Sequence, residues 1–111
     1  MKYSYPKSVR LLKRREFEKV IRQGARFSGK SLYVEILSQK EGGAKLGITV
    51  VKKFGDAPTR NYFKRCVREA FRHFRADLKP AHYNIRPKIK SELITLDNIK
   101  ADLLSIIRQW I

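Results

Sequence analysis

The chain is poor in the residues that carry most protein chemistry. One cysteine, Cys66, stands alone among 111 residues, which excludes an internal disulfide and fits a reducing compartment. Histidine occurs twice, at His73 and His82, and neither has a Cys or carboxylate partner at metal-ligand spacing, so no metal site on the protein is expected. Ser, His and Asp occur in no recognisable catalytic order, and no catalytic residue is expected either. No apolar run approaches the roughly 18 residues of a membrane span. Residues 1–30 lack the apolar segment of a signal peptide, so the expected location is the cytoplasm. Repeats, linkers and low-complexity tracts are absent, and the length fits a single domain over 1–111.

Acidic residues are scarce as well: 10 Asp plus Glu face 26 Lys plus Arg, for a formal net charge of +16. Concentrating like charge costs self-repulsion, which a polyanion relieves; nucleic acid is the natural partner and an anionic membrane surface the competing one. The composition is 42% hydrophobic and 11% aromatic, enough for a real core.

Phe17, Val20 and Ile21 recur at helical spacing ahead of Gly24, predicting a helix over about 13–23 behind an irregular lead-in containing Pro6. SLYVEIL alternates with period two, placing Leu32, Val34 and Ile36 on one face and Tyr33, Glu35 and Leu37 on the other. KLGITVVKK reads as a second strand, with Lys53 pointing outward, and Gly42-Gly43 between them predicts a hairpin. DAPTRNYFKRCVREAFRHFRADLK is the longest helical pattern, with Asp56 as N-cap, Pro58 in the first turn and Pro80 as its stop. AHYNIRPK alternates like a strand, which Pro87 would confine to an edge or end early. The last segment spaces Leu96, Ile99, Leu103, Ile106, Ile107 and Trp110 along one helical face, with Thr95 or Asp97 as cap. This order predicts an α+β sandwich, helices against a small sheet.

The long helix sorts its side chains. At 100° per residue, Arg60, Asn61, Lys64, Arg65, Arg68, Arg72, Arg75 and Lys79 fall within one arc of about 140°. Phe63, Cys66, Val67, Ala70 and Phe74 fall opposite, as core. Phe71 lies beside the arginines. Only Glu69 and Asp77 offset the seven basic residues from Arg60 to Lys79. A solvated helix face would mix the signs, so the arc reads as a phosphate-binding face. The apolar side is committed to the protein's own core, which favours nucleic acid over lipid.

At RNYFKRCVRE, residues 60–69, the sequence resembles the bacterial ribonuclease P protein subunit, whose helix carries Arg-Asn, Lys-Arg and Arg-Glu at this spacing. LGITVVKKFGDA and LLKRREFEKVIRQG resemble the same family's strand-to-helix passage and first helix, in register over about residues 10–79. HYNIRPK departs from the family's usual acidic-aliphatic strand, and Glu35 stands where the family can carry an aromatic.

The resemblance implies a small α/β sandwich whose mainly antiparallel sheet is packed by helices, with an unusual left-handed β-α-β crossover. It implies an accessory subunit of an endoribonuclease that removes the 5′ leader from precursor tRNA, with the catalytic centre in RNA. Magnesium ions would be held mainly by that RNA and none by the protein. The implied partners are the catalytic RNA and precursor tRNA, with no membrane and no obligate protein partner. Arg60, Asn61, Lys64, Arg65, Arg68 and Arg72 would bind the catalytic RNA. Phe17, Ile21, Tyr33, Lys52 and Lys53 would line a cleft for the single-stranded leader, where stacking on unpaired bases contributes roughly 1–3 kcal/mol per base. Phe17 also reads as a core residue of the first helix. The charge by itself fits a structural ribosomal or general RNA-binding protein equally well; a DNA-binding module lacks a helix-turn-helix pair.

Overall fold

The structure is a computed structural model and describes residues 9–88 and 90–110; the lead-in around Pro6 lies outside them. Helix α1 (Arg14–Gln23) is followed by strands β1 (Ala25–Ser28), β2 (Leu32–Ser38) and β3 (Ala44–Ile48). Helix α2 (Ala57–Phe74), strand β4 (Ala81–Pro87) and helix α3 (Leu96–Trp110) complete the order, with short 3-10 turns at Lys52–Phe54, Arg75–Asp77 and Ser91–Leu93.

The helix starts are closed by side chains. The Glu16 carboxylate accepts the Leu12 and Lys13 N–H groups at 3.1 Å each. Asp56 accepts the Thr59 N–H at 3.0 Å with Pro58 in the first turn, as expected. Of the two candidate caps of α3, Thr95 serves: its hydroxyl accepts the Asn98 N–H at 3.1 Å.

The four strands lie in the order β1-β2-β4-β3, antiparallel except for the parallel pair β3 and β4, which α2 connects. The expected hairpin between β2 and β3 does not form. Gly42 and Gly43 do supply positive φ angles, 93° and 70°, but the connection they serve steps across the width of a strand, and β4 occupies the gap. Two strand spacings are only ~10 Å, within easy reach of this loop.

Pro87 does not send β4 to the edge; β4 is central. Its last residue pairs with Leu32 of β2, while β3 has already left the sheet at Ile48, opposite Ile85. The proline therefore stands where only one neighbour remains. Strand β1, only four residues long and with its alternation confined to Ala25-Arg26-Phe27-Ser28, adds the edge beyond β2.

One sheet face, with Leu32, Val34, Ile36, Leu46, Tyr83 and Ile85, is buried against α2 and α3. Cys66 is buried there as a free thiol, as its position on the apolar arc predicts. Two expectations about α2 change. Phe71 is buried and meets the Tyr83 ring edge-on at 5.8 Å, whereas Phe74 is only partly buried. The cause is α3, which packs along α2 and widens the sector shielded from water. Nor does α2 run to Pro80: it stops at Phe74 and tightens into the Arg75–Asp77 turn.

The α3 layer is pinned by a buried carboxylate. Asp102 accepts the Lys30 N–H at 3.1 Å, the Ser31 N–H at 2.6 Å and the Ser31 hydroxyl at 2.5 Å. Gly29 is required beside it, because a Cβ there would lie 2.6 Å from the Asp102 carboxyl carbon.

Candidate nucleic-acid interface

The cationic arc of α2 faces away from the core. Asn61 and Arg65 are exposed; Arg60, Lys64, Arg68 and Arg72 are half-buried along their stems. Arg60 folds back so that Nη1 donates to the Gly55 carbonyl at 2.6 Å, tying the helix start to the preceding turn. Arg72 pairs with Glu69 one turn away at 2.7 Å, so its charge is partly compensated within the helix. Among the described arc residues, Arg65 is the most clearly presented of the arginines between these two.

The opposite sheet face is only partly covered. Helix α1 crosses β2 and β4, with Val20 fully buried beneath it. The Phe17 ring lies on the backbone of Gly47 in β3, where a Cβ would come within 2.5 Å of its Cε1. The Phe17 side chain is thus partly packing, and the residue is only partly buried. Ile21, one turn on, is 37% exposed. At the N-terminal end of α1, Glu16 meets His82 of β4 and Lys45 of β3. Burial raises the Glu16 carboxyl, but the Lys13 and Leu12 N–H groups outweigh it and hold the group below its ordinary range. Burial pushes the His82 imidazole down, against the pull of Glu16.

Beyond α1 the floor is polar and basic. Glu35, expected to point outward, does leave the core face but is fully buried. Its Oε2 meets Arg86 at 2.5 Å and Arg26 at 3.2 Å, and its Oε1 accepts from Asn84 Nδ2 at 3.1 Å. Asn84 Oδ1 in turn accepts from the Thr49 hydroxyl at 2.9 Å. Tyr33 sits next along this face, with the Arg86 guanidinium 5.7 Å and the Lys88 ammonium 5.5 Å from its ring centre.

Lys52 and Lys53 do not belong to a strand. β3 ends at Ile48 and both lysines lie exposed in the 3-10 turn before α2. Lys53 lines a groove of about 480 Å³ with Val51, Phe54, Pro87, Lys88 and Lys90. The structure therefore aligns Tyr33, Arg86, Lys88 and Lys53 towards one end of the sheet and sets Phe17 over β3, on the other side of β4. Arg26, Arg86, Lys88 and Lys90 escaped the sequence reading. A recurrent outward phase on β1 and β4 was the available signal, but β1 was unassigned and Pro87 obscured β4.

Among the described residues no three His, Cys, Asp or Glu side chains gather to hold a metal ion, and His73 is exposed against the edge of Phe74 at 4.9 Å. No described helix is long and apolar enough to cross a membrane.

A sequence profile described as Ribonuclease P matches residues 5–110. The chain belongs to the ribonuclease P protein family. Its relatives include the ribonuclease P protein component of Chlamydia abortus, 49% identical over 86 residues, covering 77% of this chain and 62% of that protein. That of Chlamydia muridarum is 43% identical over 100 residues, 89% of this chain and 83% of the relative. The chain thus spans somewhat less than two thirds of the length of some curated relatives. The solved ribonuclease P protein of Thermotoga maritima superposes with a TM-score of 0.80 at 30% identity, covering 90% of this chain and 96% of that one. That superposition shows the same mixed α+β fold in both chains.

Proposed function

We propose that this chain is the protein component of a ribonuclease P ribonucleoprotein and acts in removing the 5′ leader from precursor tRNA. The observation that carries the proposal is the pairing of family membership with two basic surfaces of different kind, one helical and one on the open sheet face. A row of cations along a rigid helix suits the fixed phosphate spacing of a folded RNA. Asn61, Lys64, Arg65 and Arg68, with Arg60 and Arg72 held by local partners, hold the catalytic RNA in this reading. The sheet face beside α1, with Phe17, Ile21, Tyr33, Lys52 and Lys53, takes the unpaired leader. A half-open aromatic and a line of lysines suit a strand whose sequence varies between precursors.

The protein supplies affinity and positioning. In this reading magnesium ions belong to the RNA, and no proton transfer is assigned to a protein side chain. The site of action is the cytoplasm.

Reconstitution tests this reading. The purified protein alone should cleave nothing, and added to its RNA partner it should restore precursor-tRNA cleavage at magnesium concentrations where the RNA alone is slow. Unaltered cleavage kinetics would overturn it, and crosslinking in cells chiefly to ribosomal RNA would support a structural ribosomal role instead.

A further inference from the structure

Glu35 is a buried carboxylate that the proposed function does not use. It is 0% exposed in the middle of the half-open sheet face. Burying an ionised carboxylate is costly unless donors replace its water, and here two guanidiniums and an amide do so. The register explains how they converge: Arg26 is the direct cross-strand partner of Glu35 in β1, Asn84 its partner in β4, and Arg86 the diagonal neighbour opposite Tyr33. Both arginines share one carboxylate oxygen, so each is held at the same point; Arg26 keeps most of its side chain in solvent, whereas Arg86 has its Nε buried and only part of its guanidinium at the surface. The Arg26 side chain is 56% exposed and that of Arg86 30%. Two like charges would repel at this separation without the carboxylate between them, and the trio keeps a net positive charge.

We propose that Glu35 is a positioning residue that presents Arg26 and Arg86 as a fixed pair beside Tyr33, to grip the phosphodiester backbone of a single-stranded leader crossing this face. The inference rests on the leader reading above and names the groups that do the binding. Guanidiniums already fixed by a carboxylate lose little freedom on meeting a phosphate, and Arg86 extends the pair onto the Tyr33 ring, where a neighbouring base can stack. An aromatic at position 35 would offer stacking; the buried carboxylate converts the centre of the face into an electrostatic grip.

The test uses the reconstituted ribonucleoprotein with precursor tRNA carrying a leader of several nucleotides and with leaderless tRNA, measuring both Kd values over a range of KCl. Glu35→Gln, which retains an acceptor but not the charge, should weaken leader-bearing tRNA by about tenfold, the scale of one charge-assisted contact, and leave leaderless tRNA unchanged. Arg26→Gln, at an exposed position, should do the same and lower the salt slope by about 0.7, the value for one phosphate of a single strand. In the Arg26→Gln background, Glu35→Gln should cost distinctly less than alone. Equal weakening of both tRNAs, additive losses, or an unchanged leader preference in folded variants would each overturn the proposal. If Glu35→Gln does not fold, Arg26→Gln alone decides by its leader preference and salt slope. A wild-type assembly that binds both tRNAs alike would overturn the leader reading itself, and this proposal with it.

Discussion

A methyl group at position 47 has no room. The Phe17 Cε1 and Leu11 Cδ1 atoms would stand 2.5 Å and 2.8 Å from it, so Gly47→Ala should push α1 off the sheet and cost about 1–3 kcal/mol in denaturant unfolding. Shortening the obstruction should recover part of that loss, making the pair Gly47→Ala with Phe17→Leu cost less than the sum. Additive losses would mean that Phe17 does not rest on this glycine. Asp102 makes a second test. Asp102→Ala leaves the buried Ser31 N–H and hydroxyl without their acceptor and should lower stability by roughly 2–3 kcal/mol, read from the same unfolding curves. Both residues were opaque in sequence. Gly47 looked like an ordinary strand residue and Asp102 like a polar position in an amphipathic helix, because what each one touches lies far away along the chain. Glu35 was opaque for the same reason: period two assigned its face correctly, but its burial depends on arginines from two other strands.

Among the elements, α2 was the most legible, since its two faces follow from periodicity alone and Asp56 and Pro58 mark its start. What periodicity could not supply was the width of the buried sector, which depends on where α3 lies and so decides between Phe71 and Phe74. The individual arginines also differ in ways set by local partners. Arg65→Ala removes an exposed cation and should weaken assembly with the RNA and lower the magnitude of the salt slope by roughly one unit. Arg72→Ala should change it less, because Glu69 already offsets that charge at 2.7 Å. Filter-binding titrations over a range of KCl compare the two, and identical slopes for both variants and the parent would mean that the arc is merely solvated. The strands were harder to read. β1 is a four-residue, mostly exposed edge, too short for its alternation to stand out, and β3 ends at Ile48, although the apolar run continues to Val51.

At the scale of the molecule, the docking of α1 on the sheet links stability to pH. His82 lies under α1 with Glu16, Lys45 and Lys19 facing it, and burial lowers its pKa from the ordinary 6.5. The folded state therefore binds this proton less readily than the unfolded chain. The stabilisation is complete above pH 6.5 and is lost as pH falls from there through the folded value. Thermal unfolding between pH 7 and 5 should show a falling midpoint, and His82→Gln should flatten that slope; an unchanged slope would remove His82 as its source. Composition, charge and the helical and strand periodicities determined by themselves a strongly basic chain of mixed α+β class with a cationic helix face, because those properties are set by residues a few positions apart. The strand order, the central place of β4, the burial of Glu35 between Arg26 and Arg86, and the bed of Gly47 under Phe17 were decided only in the tertiary structure. Each depends on a pairing between distant segments, and pairing is governed by which surfaces the whole chain can bury at once.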